Sequence, residues 1–230
     1  MTALLAFDTG TERMIVAVVR DGRVWSHTGA GGAKASATLI ATILRLLDEA
    51  GLGLRELDAI AFGRGPGAFT GLRTACSVAQ GLAFGVGKPV LPIDSLLVVA
   101  EDARFGAREF RVWATIDARM AQIYAAEYAF ANGRWRVLHA PMLTDCEALA
   151  RRWRSAPAQA VAGDAISAFG ARLETGAALL RPEARVSAAA LVALAERAWD
   201  DGAAVDAAQA LPLYVRDKVA ETTLEREARR

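Results

Sequence analysis

Leu4-Leu5-Ala6-Phe7-Asp8-Thr9-Gly10-Thr11 is the stretch from which the fold can be worked out. An apolar run from Ala3 to Phe7 stops at Asp8, and Thr9-Gly10-Thr11 makes a turn. Met14 to Val19 is rich in Val and Ile and predicts a second strand. Asp21-Gly22 is a hairpin signal, because both residues tolerate the left-handed backbone of a type I′ turn. Arg23 to Thr28 alternates and returns as a third strand. The same plan recurs later. Val112 to Ile116 is apolar and ends at Asp117, a turn covers Ala118 to Met120, Gln122 to Phe130 is a strand, Asn132-Gly133 is a second hairpin signal, and Arg134 to His139 returns. Both openings place an Asp at the end of strand one, a hairpin at Gly22 or Gly133, and a Trp, Trp25 or Trp135, in strand three. This reads as an internal duplication, with two unrelated hairpins as the alternative.

The segments around these openings complete the pattern. A helix is predicted over Ala35 to Ala50, with Leu39, Ile43, Leu46 and Ala50 on one line and Ile40, Leu44 and Leu47 beside it, together one apolar arc. Gly51 ends it. Asp58 to Gly63 reads as a buried strand. A glycine-rich turn, Gly63 to Gly67, leads into a helix from Thr70 to about Phe84 with Thr70 as N-cap. Pro89 to Ile93 is a strand, and Asp94-Ser95 starts a helix. Further on, Thr144 to Trp153 reads as a helix, Ala158 to Ala162 as a strand and Gly163-Asp164 as a turn. Ser187 to Trp199 is an amphipathic helix with Ser187 as N-cap, and Leu211 to Val215 a last strand. Glu221 to Arg230 is a helix extension or a disordered tail. The expectation is an α/β protein with a duplicated actin-like, ribonuclease-H-like fold: two βββαβα halves, 1–105 and 106–230, as in actin, sugar kinases and Hsp70 ATPases.

The chain has 230 residues, 53% hydrophobic and 23% charged, so a sizeable core is expected. Its 27 basic and 26 acidic residues leave a net charge of +1. That balance argues against a whole face devoted to nucleic acid and leaves room only for a local basic patch. Two cysteines, Cys76 and Cys146, fit a reducing compartment. No signal peptide or membrane span is expected, so the protein is expected in the cytoplasm, off the membrane.

Candidate chemistry is sparse. Asp8-Thr9-Gly10-Thr11 fits a phosphate loop, in which the Asp sits near metal and phosphate and backbone amides cradle the anion. It equally fits an Asp whose carboxylate caps a turn. The matching turn, Asp117-Ala118-Arg119, lacks the glycine that close approach to phosphate demands, since Ala118 would be strained at positive φ. Asp8, Thr9, Gly10 and Asp117 are therefore read as vestigial phosphate loops. Gly65-Pro66-Gly67-Ala68-Phe69-Thr70-Gly71-Leu72-Arg73 could hold an anion at a helix N-terminus, or could be a tight turn that lets the helix pack. It has neither the P-loop Lys nor GxGxxG spacing. His27 and His139 cannot make a metal motif, no GxSxG occurs, and Cys76 and Cys146 are expected inert, so no metal and no catalytic residue are expected.

From Thr74 to Gly87 no residue is charged. A helix uncharged all round should bury both faces, one in its own domain and one against a partner. Thr74, Ser77, Gly81, Phe84 and Gly85 are the expected partner face, joined by Thr38, Thr42 and Arg45 of the preceding helix.

Gly63 to Arg73 with Ala79-Gln80-Gly81-Leu82-Ala83, Ile116 to Met120 with Ile123-Tyr124, Pro212 to Arg216, and Leu5 to Thr9 together resemble the TsaB (YeaZ) family over positions 4 to 216. Two departures are Ala68, where the family usually has Ser, and the absence of a His in Gly31 to Ser36. The resemblance implies a non-catalytic scaffold subunit in the synthesis of N6-threonylcarbamoyladenosine at tRNA position 37. Its implied partners are a TsaD-like catalytic subunit, whose metal-binding histidines fall in the region matching Lys34 to Thr38, and a TsaE-like ATPase. TsaC would supply the threonylcarbamoyl-adenylate donor. A second copy of the chain is the alternative partner when it is alone, and tRNA is met indirectly through the complex. No cofactor is implied, nucleotide being reserved for the interface with the ATPase subunit. The competing readings are an actin-fold ATPase or kinase acting on its own, supported by Asp8-Thr9-Gly10-Thr11 and opposed by Ala118 and Arg119, and a metallopeptidase, opposed by the lack of paired histidines.

Overall fold

The computed structural model describes residues 2–216. The first half runs β1 (Ala3–Asp8), β2 (Arg13–Arg20), β3 (Arg23–Ala30), α1 (Leu39–Glu49), β4 (Ala59–Gly65), α2 (Phe69–Val86), β5 (Val90–Asp94) and α3 (Ser95–Arg104). The second repeats it with β6 (Phe110–Arg119), β7 (Gln122–Ala131), β8 (Arg134–Thr144), α4 (Cys146–Ser155), β9 (Ala160–Ala162), α5 (Ala165–Phe169), β10 (Leu179–Arg181) and α6 (Ala188–Asp200). The sheets have the orders β3-β2-β1-β4-β5 and β8-β7-β6-β9-β10, the same topology twice. In each, the hairpin strands pair antiparallel and the two strands beyond the first pair parallel to it. This is the duplicated actin-like plan. Both hairpins turn where the sequence marks them, with Asp21 and Gly22 at φ 51° and 75° and Asn132 and Gly133 at 52° and 76°.

Side-chain alternation builds the layers. Along β1, Leu4 and Ala6 face a central core shared with β6 and with helices α3 and α6. Leu5 and Phe7 face the opposite way, into a core with α1 and α2. On the second sheet, Trp113, Ile123 and Val161 face α4 and α5 in a third core. The order is therefore helices, sheet, helices, sheet, helices, and a strand buried on both faces has no polar alternation to show. α6 starts as expected, with the Ser187 hydroxyl accepting from Ala190 N and donating to Asp102 Oδ1 at 2.6 Å.

Several local expectations give way. The first turn before α1 is a 3-10 segment, Gly32–Ala37, and the helix proper begins at Leu39. α2 is capped at Ala68 with no side-chain bond, which puts Thr70 inside the helix. Leu211 to Val215 is not a strand: its Pro212 lacks an N–H, and its one backbone bond among the described residues runs from Leu213 N to the Arg64 carbonyl. β10 and the short α5 carry no sequence signal strong enough to predict. Residues Glu221 to Arg230 lie outside the described residues. After α6 the chain returns to the first half. Val205 bridges Val90, and Ala207 and Ala210 enter the core beneath α2. Among the described residues no helix is long and apolar enough to cross a membrane.

Candidate functional site

The end of β1 decides between the two readings of Asp8. Its side chain is fully buried, and its carboxylate accepts from Gly10 N at 2.7 Å and from Ser95 Oγ at 2.6 Å. It packs so closely on β4 that a Cβ at Gly63 would lie 1.8 Å from its Oδ2. Burial pushes the carboxyl above the usual range, more than the two hydrogen bonds pull it down. Asp8 therefore holds a turn and does not face open space. Thr9 is equally buried and donates to the Gly71 carbonyl at 2.7 Å.

The glycine-rich turn clasps this loop. Ala68 N donates to the Gly10 carbonyl at 2.7 Å. A Cβ at Gly67 would sit 2.3 Å from that same oxygen, and one at Gly71 2.0 Å from the Thr9 carbonyl oxygen. These glycines are needed for backbone-to-backbone approach. The tight-turn reading of Gly65 to Arg73 accounts for them without an anion.

The end of β6 repeats the turn with other residues. Asp117 Oδ1 accepts from Arg119 N at 2.8 Å, as Asp8 accepts from Gly10 N. Arg119 thus stands where Gly10 stands, and it is Arg119, not Ala118, that takes positive φ, at 63°. Its guanidinium donates to Asp117 Oδ2 at 2.9 Å and reaches across to Glu12 of the other half. Glu12, then Asp117, raise its already high pKa. Asp117 N donates to Asp164 Oδ1 at 2.8 Å, and burial pushes the Asp164 carboxyl up.

Between the two loops lies a cleft of about 550 Å³, floored by Gly10 and Thr11 and edged by Glu12, Arg119 and Asp164. Residues 213–216 run along it. Leu213 bonds the Arg64 carbonyl on one side, and Arg216 donates to the Ala118 carbonyl at 2.8 Å on the other. Tyr214 accepts from Arg73 Nε at 3.1 Å and lies 5.5 Å from the Phe69 ring, over which Arg73 also sits at 3.9 Å. The acids at the cleft are tied to the protein itself, and among the described residues no histidine, cysteine or lysine lines it.

The remaining candidates lie elsewhere. His139 Nδ1 donates to Glu127 at 2.6 Å on the second sheet, and His27 lies on edge strand β3. Cys76 is buried, donates to the Ala210 carbonyl at 2.9 Å and has its pKa pushed up by burial. Burial likewise raises Cys146, against a smaller lowering by Arg172. Among the described residues no group of three His, Cys, Asp or Glu side chains gathers to hold a metal ion.

The outer face of α1 and α2 is open. Ser77, Gly81, Phe84 and Gly85 are exposed, Phe84 at 81%, and a Cβ at Gly81 or Gly85 would meet nothing within 4 Å. Thr74 is half-buried and bonds back to the Thr70 carbonyl. Thr38 and Arg45 are exposed, Arg45 paired with Glu49. Thr42 is not on this face: it is buried against its own sheet. Ile40 and Leu44, each 51% exposed, are the uncovered large apolar side chains of α1. The apolar arc of α1 is wider than the surface it covers, and Ile40 and Leu44 are its uncovered part.

The family model described as TsaD, tRNA N6-adenosine threonylcarbamoyltransferase, matches residues 32–167. The tRNA threonylcarbamoyladenosine biosynthesis protein TsaB of Escherichia coli (strain K12) is 38% identical over 133 residues, which are 57% of this chain and 58% of that protein. TsaB of Haemophilus influenzae is 41% identical over 124 residues, 54% of this chain and 52% of that protein. The match thus spans little more than half the length of these relatives. The solved structure of YeaZ from Pseudomonas aeruginosa superposes with a TM-score of 0.83 at 39% identity, covering 93% of this chain and all of that one.

Proposed function

The chain belongs to the TsaB (YeaZ) family, and on that premise we propose that it is a non-catalytic subunit in the synthesis of N6-threonylcarbamoyladenosine in tRNA. It pairs with a TsaD-like catalytic subunit through α1 and α2, and a TsaE-like ATPase joins the pair. The open seam on α2 carries this reading. A helix with no charge from Thr74 to Gly87, two glycines facing empty space and a bare Phe84, together with bare Ile40 and Leu44 on α1, has the composition of a helix-packing surface left uncovered. The inward-facing Asp8 and the Arg119 guanidinium lying where phosphate would need room favour a chain that hydrolyses no nucleotide itself.

The test is Gly81→Arg, mixed with a TsaD-like subunit and followed by size-exclusion chromatography. The variant should fold, because the site is open, and should fail to pair, because a guanidinium cannot be buried in a tight seam without a counter-ion. Normal pairing would refute the interface. The rival reading, an ATPase acting alone, predicts turnover by the isolated chain near the ordinary enzyme scale of ~10 per second. The proposal expects no measurable hydrolysis.

A further inference from the structure

We propose that the open end of the second sheet, around Arg111, Arg136 and Arg152, binds the phosphodiester backbone of RNA. From the reading above it takes only that RNA is the polymer at hand. Strand register places Arg111, Ala129 and Arg136 in one row across β6, β7 and β8, and Trp113, Glu127 and His139 in the next row on the same face. α4 packs on this face through Trp153, which meets Trp113 edge-on at 6.1 Å, and its last turn leaves the Arg111 row uncovered. Arg152 in that turn lies over the Trp113 ring at 5.6 Å, and His139 stacks on the same ring at 5.1 Å.

Three guanidinium groups gather here around one buried carboxylate, Glu127. Both oxygens of Glu127, itself 2% exposed, are already taken, by Arg111 Nε at 2.7 Å and His139 Nδ1 at 2.6 Å. Arg111 is thereby fixed while its two terminal nitrogens have no partner among the described residues, and neither Arg136 nor Arg152 forms an ion pair among them. By contrast, Arg134, Arg151 and Arg154 nearby are each paired to an acid. Beside Arg111 runs an open groove of about 500 Å³ lined by Phe110, Ala129, Phe130, Ala160 and Leu179 and bordered by Glu109. A groove with no closed end suits an extended polyanion better than a small anion. Arg111 and Arg136, two strands apart, span roughly 10 Å, enough to contact successive stretches of a backbone.

The experiment uses the full chain on its own with a labelled, unmodified tRNA transcript, followed by fluorescence anisotropy between about 50 and 200 mM salt. Wild type should bind in the roughly 10⁻⁴ to 10⁻⁶ M range typical of backbone contacts. The double variant Arg136→Glu/Arg152→Glu, with an unchanged melting temperature, should bind at least tenfold more weakly. Its slope of log affinity against log salt should fall by about two, one for each lost phosphate contact. A control with the same charge change on the first half, Arg23→Glu/Arg55→Glu, should keep the wild-type slope. Absence of wild-type binding, an unchanged slope in the Arg136/Arg152 variant, an equal loss in the control, or displacement by polyglutamate as effective as by RNA would each overturn the proposal. Pairing with a TsaD-like subunit is measured on the same samples. RNA binding with the expected slope but no pairing leaves this site standing and sinks the reading above.

Discussion

Gly71→Ala and Gly81→Ala, the same substitution on the same helix, should move stability in opposite directions. At Gly71 the new Cβ would lie 2.0 Å from the Thr9 carbonyl oxygen and 2.9 Å from its carbon, and no rotamer change can relieve a contact with backbone. Forcing the two loops apart costs about 1–3 kcal/mol as overpacking. It also strains the buried bond from Thr9 Oγ1 to the Gly71 carbonyl, and an unpaired buried group costs about 1–3 kcal/mol more. Alanine returns at most ~1 kcal/mol of helix propensity. The net loss should be roughly 1–5 kcal/mol, which for a chain of this size lowers the melting temperature by roughly 2–20 °C. At Gly81 an added Cβ meets nothing within 4 Å, so only the propensity gain of about 0.5–1 kcal/mol remains, a rise of roughly 1–4 °C. Scanning calorimetry at two protein concentrations measures both and separates any self-association through the open face. Gly71→Ala as stable as wild type, or Gly81→Ala less stable, would refute the assignment of one side of α2 to the loop clasp and the other to open space.

Asp8→Asn should gain stability relative to wild type as pH rises from about 4 toward neutrality. The folded carboxyl is raised above its usual 3.8, so its stabilising contribution is complete below that value and is lost as pH climbs through the folded one. Urea midpoints across the pH series check this, and a wild-type advantage that grows with pH would contradict it. Arg119→Gly should be more stable than Arg119→Ala by about 1 kcal/mol, because both lose the same exposed ion pairs and only glycine is relaxed at φ 63°; thermal melts of the two variants decide. Ser187→Ala should cost about 1–2 kcal/mol, from the lost α6 cap and the Asp102 oxygen left without its donor, read as a lowered urea midpoint.

Most of the architecture was legible because it rests on strong local signals: two type I′ hairpins, apolar strands ending in Asp, and long periodic helices. What escaped was set by tertiary contact. β10 is three residues, too short to carry periodicity, and is held by its pairing to β9. Leu211 to Val215 has strand-like composition, but among the described residues its backbone makes a single bond, to the Arg64 carbonyl, and no ladder. Asp8 kept two meanings because a carboxylate at a strand end can face either way; only Ser95, far along the chain, shows which. The exposed Ile40 and Leu44 sat on the right arc, but periodicity does not say how wide a stripe the sheet covers. The basic end of the second sheet was diluted in a net charge near zero, since Arg111 and Arg136 meet only through strand register and Arg152 comes to them on α4.

The return of the chain after α6 bears on how the protein is made. β5 and α2 lack part of their covering until Val205, Ala207 and Ala210 arrive, about 115 residues after Val90. At roughly 5–20 residues per second, a ribosome takes about 6–23 s to supply them. The half synthesised first therefore waits for the end of the second, with the carbonyl that receives the Cys76 thiol proton still unmade and part of its core open to water.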